Sequence, residues 1–293
     1  MTHPTITWDW VAAQEFPKIH EIVQGRDGIE QQPERRLQRL TYELDNNPNA
    51  INARDKSGRT ALCWATAQGK LPEMELLIAR GSNTNQMDVN GRTTILHAVD
   101  SHNEDVLSAI LKAGGDPNPR VPRRLCRSSP LIAASFGGLV GMVRLLLRFG
   151  AELNACNPEG WTALQQAASV QNVECVKTLL EFGADPVETS ENGQSALTIA
   201  MIRNSHPVLE LFLHHMGSSR LEGLRLIPIV AQHADARTMS ILTASPLLAN
   251  QAPLDEGDLS AARATLRSRA DYDTRLGNAF ENLISLIGRE ISE

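Results

Sequence analysis

From Asp55 onward the chain repeats one arrangement of apolar and polar positions. A hydroxyl residue is followed two places on by Leu or Ile and three further on by Ala, and after a short gap comes a second run built on Leu, Ile, Val and Met. The stretch 55–62, DKSGRTAL, aligns with 88–95, DVNGRTTI, at a spacing of 33 residues. Further copies start at Arg124, Asn157 and Ser190, and the second copy is lengthened to 36 residues by an insertion before Arg124. In this register the hydroxyl is Thr60, Thr93, Ser129, Thr162 and Ser195. The apolar position is Leu62, Ile95, Leu131, Leu164 and Leu197, and the small one is Ala65, Ala98, Ala134, Ala167 and Ala200.

Each copy predicts two short helices. The hydroxyl can accept from the unpaired backbone donors of a first helical turn, and Leu and Ala three apart share one face. A small residue stands where neighbouring helices must approach closely. The second helix is marked by Met74, Leu107, Val143, Val176 and Leu209, with Leu77, Ile110, Leu146, Leu179 and Phe212 following, and ends at Gly81, Gly114, Gly150 and Gly183. A left-handed residue at such an end lets the chain turn out. One copy alone cannot bury its apolar stripe. Stacked neighbours can, at roughly 1.5 to 3 kcal/mol per covered Leu-sized side chain.

These columns resemble the ankyrin repeat, whose pattern runs from an Asp through Gly-x-Thr-Pro-Leu-His-x-Ala-Ala to a Leu-rich second helix ending in Gly-Ala-Asp. Ser129, Pro130 and Leu131 keep the Pro-Leu step; Gly150, Ala151 and Glu152, and Gly183, Ala184 and Asp185, keep the ending; Asn85, Asn118 and Asn154 keep a common asparagine. The family histidine is replaced in turn by Cys63, Leu96, Ile132, Gln165 and Thr198, which removes a hydrogen bond across the turns, and Met216 stands where the fifth copy should have Gly. The resemblance implies an all-α ankyrin repeat solenoid of stacked helix-turn-helix units with β-hairpin-like loops and helical caps at both ends. Residues 55–217 then hold five repeats, 55–87, 88–123, 124–156, 157–189 and 190–217. Residues 1–54 form an N-terminal helical cap, drawing on Trp8, Trp10, Phe16 and Ile19, with an eroded repeat over Leu37–Ala53. Residues 218–293 carry a degenerate pair, Leu224–Gln232 and Thr238–Thr243, and terminal helices from Leu259. Solenoids need such atypical ends.

Composition narrows the function. A net charge of −6 excludes a general affinity for nucleic-acid backbones or acidic lipid. No stretch reaches the roughly 18 to 20 uncharged apolar residues that span a bilayer, and Met1–Trp10 has no signal-peptide pattern. The four cysteines are dispersed without a CxxC pair, so reduced thiols and a cytoplasmic or nuclear location are expected.

In ankyrin proteins the hairpin tips and the exposed side of the first helix form the usual binding face. The resemblance therefore implies another protein as partner, held on the concave face, with Arg59, Arg92, Asp100, Arg123, Arg124, Phe136, Glu159, Trp161 and Gln194 as candidate contacts. An indole at a tip, Trp161, is a frequent binding hot spot; it could equally fold back on a neighbouring hairpin. The insertion 119–127, PRVPRRLCR, puts Arg120, Arg123, Arg124 and Arg127 on one loop, either an anion site for a partner's carboxylates or phosphate or a solvated loop. There is no dinucleotide fingerprint, P-loop, nucleophile elbow or HExxH. His97 with His102, and His206 with His214 and His215, lack metal-ligand spacing, and helix-end dipoles account for them. No cofactor or metal is expected. Two other functions remain open: a groove used as a small-molecule or catalytic pocket by Trp161, Asp100, Glu159 and the arginine loop, and a two-partner adaptor whose C-terminal helices dock a second protein.

Overall fold

The computed structural model describes residues 18–25, 33–121, 128–189, 193–216, 226–245 and 256–288. Among them lie sixteen α-helices. In the five repeats they are α3 (Ala61–Ala67) and α4 (Leu71–Ala79), α5 (Thr94–Asp100) and α6 (Glu104–Lys112), α7 (Pro130–Phe136) and α8 (Val140–Arg148), α9 (Ala163–Ser169) and α10 (Val173–Glu181), α11 (Ala196–Ile202) and α12 (His206–His215). Before them come α1 (Lys18–Gln24) and α2 (Pro33–Asn46). After them come α13 (Leu226–His233), α14 (Ala236–Ala244), α15 (Glu256–Arg267) and α16 (Thr274–Gly288). Among the described residues extended pairing is limited to single antiparallel bridges at hairpin bases, Met87 with Thr93 and Thr189 with Ser195. The architecture is an all-α repeat solenoid.

Contacts divide the chain into two compact units, 1–133 with 144–152 and 134–143 with 153–293, so the boundary runs through the third repeat. Both units use one packing rule: first helix on first helix, second on second. In the first unit α1 packs on α3 and α3 on α5, while α2 packs on α4 and α4 on α6. In the second unit α9, α11, α13 and α15 follow one another, as do α10, α12, α14 and α16. The helices outside the five repeats thus obey the same rule as those inside. Ile19 belongs to α1, the first helix of a pair with α2; Trp8, Trp10 and Phe16 lie outside the described residues.

The repeated columns are the core. Ala65, Ala98, Ala134, Ala167 and Ala200 are fully buried, and Leu62, Ile95, Leu131, Leu164 and Leu197 nearly so. Four of the five hydroxyls cap their helices. Thr60 accepts from Cys63 N, Ser129 from Ile132 N, and Thr162 and Ser195 form reciprocal capping boxes with Gln165 and Thr198. Thr93 departs from that expectation: its buried hydroxyl caps nothing and has no partner. The loss of the family histidine is also partly compensated. Gln165 Nε2 donates to the Gln194 carbonyl of the next repeat at 2.7 Å, and Cys63 Sγ lies 3.5 Å from Thr94 Oγ1.

The asparagine column braces successive repeats. Asn85 donates to Gly114 O at 3.1 Å and accepts from Asp116 N at 2.7 Å; Asn118 does the same to Gly150 O and Glu152 N, both at 2.8 Å. Asn52, one period earlier, accepts from Asn83 N at 2.9 Å. The turn between the two helices of each repeat is left-handed at Gly69, His102, Gly138, Gln171 and Asn204, with φ of 67°, 54°, 68°, 58° and 49°. Three of those five residues carry a side chain there, a conformation that costs non-glycine residues energy.

The N-terminal pair is fastened by polar contacts. Lys70 Nζ donates to Val23 O at 2.6 Å, and His20 Nε2 lies 3.0 Å from Arg59 O. Arg36 of α2 meets Glu73 of α4 at 2.5 Å, both side chains nearly buried. Breaking such a buried pair strands a charge, so it specifies how α2 sits on α4. At the other end His206 opens α12, where a helix dipole offers a cation nothing, and its Nε2 instead lies 3.0 Å from Asp235, the cap of α14. The dipole reading of that histidine is therefore replaced by a side-chain pair. Desolvation is the largest single influence on Asp235, yet hydrogen bonds from Thr238 and His206 outweigh it and hold the carboxyl below its ordinary value.

Candidate functional site

The first two hairpin tips are built on acidic side chains that bind their own backbone. Asp55 Oδ1 accepts from Ser57 N at 2.8 Å and Arg59 N at 3.0 Å; Asp88 Oδ1 accepts from Asn90 N at 2.9 Å and Arg92 N at 3.0 Å. In the fourth repeat Asn157 replaces the acid, and its Oδ1 takes Trp161 N at 2.8 Å. Successive tips are joined, since Val89 N donates to Ser57 O at 3.0 Å. Each of these three tips is thus braced by a side chain that accepts from its own backbone.

On the first two tips the second oxygen of each acid is also engaged. Asp55 Oδ2 accepts the Trp64 indole proton at 2.8 Å, and the Arg59 guanidinium lies over the Trp64 ring, 4.8 Å from its centre. Arg59 Nε points at Asp88 Oδ2, 3.4 Å away, and the same oxygen lies 3.3 Å from His97 Nε2. His97 is buried. Desolvation, then the charge of Arg59, push its pKa down to about 4 against the pull of Asp88, so it is neutral near pH 7. Arg92 pairs with Asp100 at the end of α5, both side chains well exposed.

The candidate contacts therefore fall into different situations. Arg59, Arg92 and Asp100 are in the first unit, linked through internal ion pairs. Phe136, Glu159, Trp161 and Gln194 are in the second. Phe136 is 62% exposed at the end of α7, Glu159 is exposed on its tip, Trp161 is partly covered, and Gln194 offers its carbonyl to Gln165. Arg123 and Arg124 lie outside the described residues, whereas Arg120 is exposed. Sequence spacing missed Trp64 and Asp88. An indole five residues after a tip arginine, and an Asp 29 residues beyond that arginine, were the signals available. Among the described residues no three His, Cys, Asp or Glu side chains gather as metal ligands, and no helix is long and apolar enough to cross a membrane.

A family model for ankyrin repeats in three copies matches residues 34–121 and 130–220. With that coverage, and with helix pairs stacked first on first and second on second, the chain belongs to the ankyrin repeat family, whose members are protein–protein interaction modules. Two relatives illustrate its neighbourhood. The chain is 32% identical over 161 residues, 55% of its length, to the ankyrin repeat and KH domain-containing protein mask-1 of Caenorhabditis elegans. It is 28% identical over 150 residues, 51% of its length, to the neurogenic locus notch homolog protein 1 of Xenopus tropicalis. In each case the match spans 6% of the relative. The family match begins at residue 34, inside α2, ahead of the register that the sequence pattern marks from Asp55.

Proposed function

We propose that this chain holds another protein against its hairpin tips and the exposed ends of its first helices, and carries out no chemistry itself. The observation that carries the reading is the contrast between the repeat columns and the tips. The columns are uniform and buried, whereas Phe136 stands 62% exposed at the end of a first helix and Val89 49% exposed at a tip. Large apolar side chains left in water on a rigid platform are what a partner covers. The finer assignment includes Trp161 and Glu159 on the fourth tip and an anionic group of the partner at the arginine loop around Arg120. A reducing interior, cytoplasmic or nuclear, suits a chain in which Cys63, Cys156 and Cys175 form no disulfide.

The test is capture of binding proteins from the native host by the intact chain and by its Phe136→Ala and Trp161→Ala variants at matched helicity. A partner retained by the intact chain and lost, at more than about 1 kcal/mol, from either variant supports the reading. A partner held equally by all three overturns this placement of the face.

A further inference from the structure

The first tip holds an arginine whose geometry is prepared for a carboxylate. Three contacts fix Arg59. Its backbone N–H is tied to Asp55, its guanidinium lies over Trp64, and its Nε is directed at the buried carboxylate of Asp88. Those contacts use the ring-facing plane and the Nε edge. Among the described residues no partner pairs with the two terminal nitrogens at the opposite edge, and the side chain keeps 25% of its surface in water. An arginine already ordered by its own protein loses less entropy on binding than a mobile one, and two parallel N–H groups match the two oxygens of a carboxylate.

The surroundings set the sign and the size of the ligand. The acids nearby are consumed: both oxygens of Asp55 and both of Asp88 face inward to backbone, Trp64, Arg59 and His97. The bases face out. Lys56, three residues before Arg59, is exposed on the same tip and has no ion pair among the described residues. Val89 stands beside Gly58, where a Cβ on Gly58 would come within 3.1 Å of Val89 Cγ1, and lends an apolar surface next to the two cations. His97, neutral at physiological pH, adds no competing charge.

We infer that Arg59 and Lys56 form a docking point for an acidic peptide segment of the partner, with a Glu or Asp carboxylate received end-on by the terminal nitrogens of Arg59. The inference rests on the protein-binding reading above, but uses residues of the first unit, whereas Phe136 and Trp161 belong to the second.

The experiment uses the full chain and a blocked peptide of four Glu-Ala units, with its Gln-Ala counterpart and inorganic phosphate as controls. Dissociation constants come from calorimetry, and the Arg59 side-chain Nε–Hε resonance reports contact. The Glu peptide should bind, shift that resonance and weaken as salt rises. Arg59→Gln should weaken it about tenfold, Arg59→Lys by several-fold because the planar fork is lost, and Lys56→Gln by about threefold. Lys56 is exposed and has no hydrogen bond or ion pair among the described residues, so its variant decides the matter if the Arg59 variants prove unfolded. Equal binding of the Gln peptide, unchanged affinity in Lys56→Gln or a folded Arg59→Gln, or displacement of the peptide by equimolar phosphate would each overturn the inference. Trp161→Ala should leave peptide affinity unchanged, so a failure at Phe136 and Trp161 in the capture experiment is distinguishable from a failure here.

Discussion

Asn118 donates its side-chain amide to the Gly150 carbonyl at 2.8 Å, reaching from the end of one repeat to the left-handed glycine just past the next repeat's second helix. Its oxygen closes the bracket on Glu152 N. A helix end leaves carbonyls without intrahelical partners. Gly150 N donates to the Leu147 carbonyl and Asn118 to that of Gly150, so the turn that finishes the helix is also tied to the preceding repeat.

Removing that bracket should therefore cost interface stability rather than helix content. Asn118→Ala is expected to lower unfolding free energy by about 1 to 2 kcal/mol, and Asn118→Asp, which keeps the acceptor, by about half as much. Urea unfolding followed by circular dichroism measures both; unchanged midpoints would show the bracket to be incidental.

Two residues in one column should respond oppositely to the same substitution. Gln171 holds a left-handed backbone, and its side chain contributes only a long contact to Arg203 O at 3.4 Å, so Gln171→Gly should stabilise by about 0.5 kcal/mol. Asn204 occupies the same turn but donates to His233 O and accepts from Asp235 N and Thr238 Oγ1. Asn204→Gly should destabilise by about 1 to 3 kcal/mol in the same urea assay. Shifts of the same sign would contradict this account of the column.

The alanine column leaves no room for a larger side chain. Ala134→Leu adds three carbons at a fully buried position and should cost about 1 to 3 kcal/mol or more, seen as a lower melting temperature. A melting temperature within error of the parent would mean that the stack yields at that point.

His97 makes stability depend on pH. Its folded pKa of about 4 lies below the unfolded value near 6.5, so above pH 6.5 both states are neutral and the group contributes nothing. As pH falls below 6.5 the unfolded state takes the proton first, and stability drops until the folded pKa is passed. Between pH 7.5 and 5 the loss should be about 2 kcal/mol, and His97→Gln should lack that share of it. Parallel pH profiles for the two proteins would contradict the assignment.

Much of the fold was legible because a column in which every residue meets the same fate leaves a regular trace. The Leu and Ala columns sit at fixed spacing and are buried in every copy, so pattern and packing carry the same information. A capping helix through Ile19 was expected, but the bounds and buried face of α1 were not legible. Its buried face includes His20 and Gln24, polar residues covered by tertiary contact rather than marked by periodicity. Nor could composition show that His102 and Gln171 take a conformation usually left to Gly, or that Thr93 leaves its helix uncapped. The tip residues were readable as tips, but not in what they do. Whether Arg59 faces solvent or Asp88 depends on how two repeats stack, a relation between residues 29 apart that no local pattern encodes.

The central claim is that the tips and first-helix ends hold a partner while the second helices remain outside the contact. Hydrogen exchange of the chain alone and in the complex recovered from the native host tests it most directly. Slowed exchange in the tips around Val89 and Gly160 and in the turn after Phe136, with unchanged exchange at Val173–Glu181 and Glu104–Lys112, is the predicted result. Protection confined to those second helices would contradict the claim.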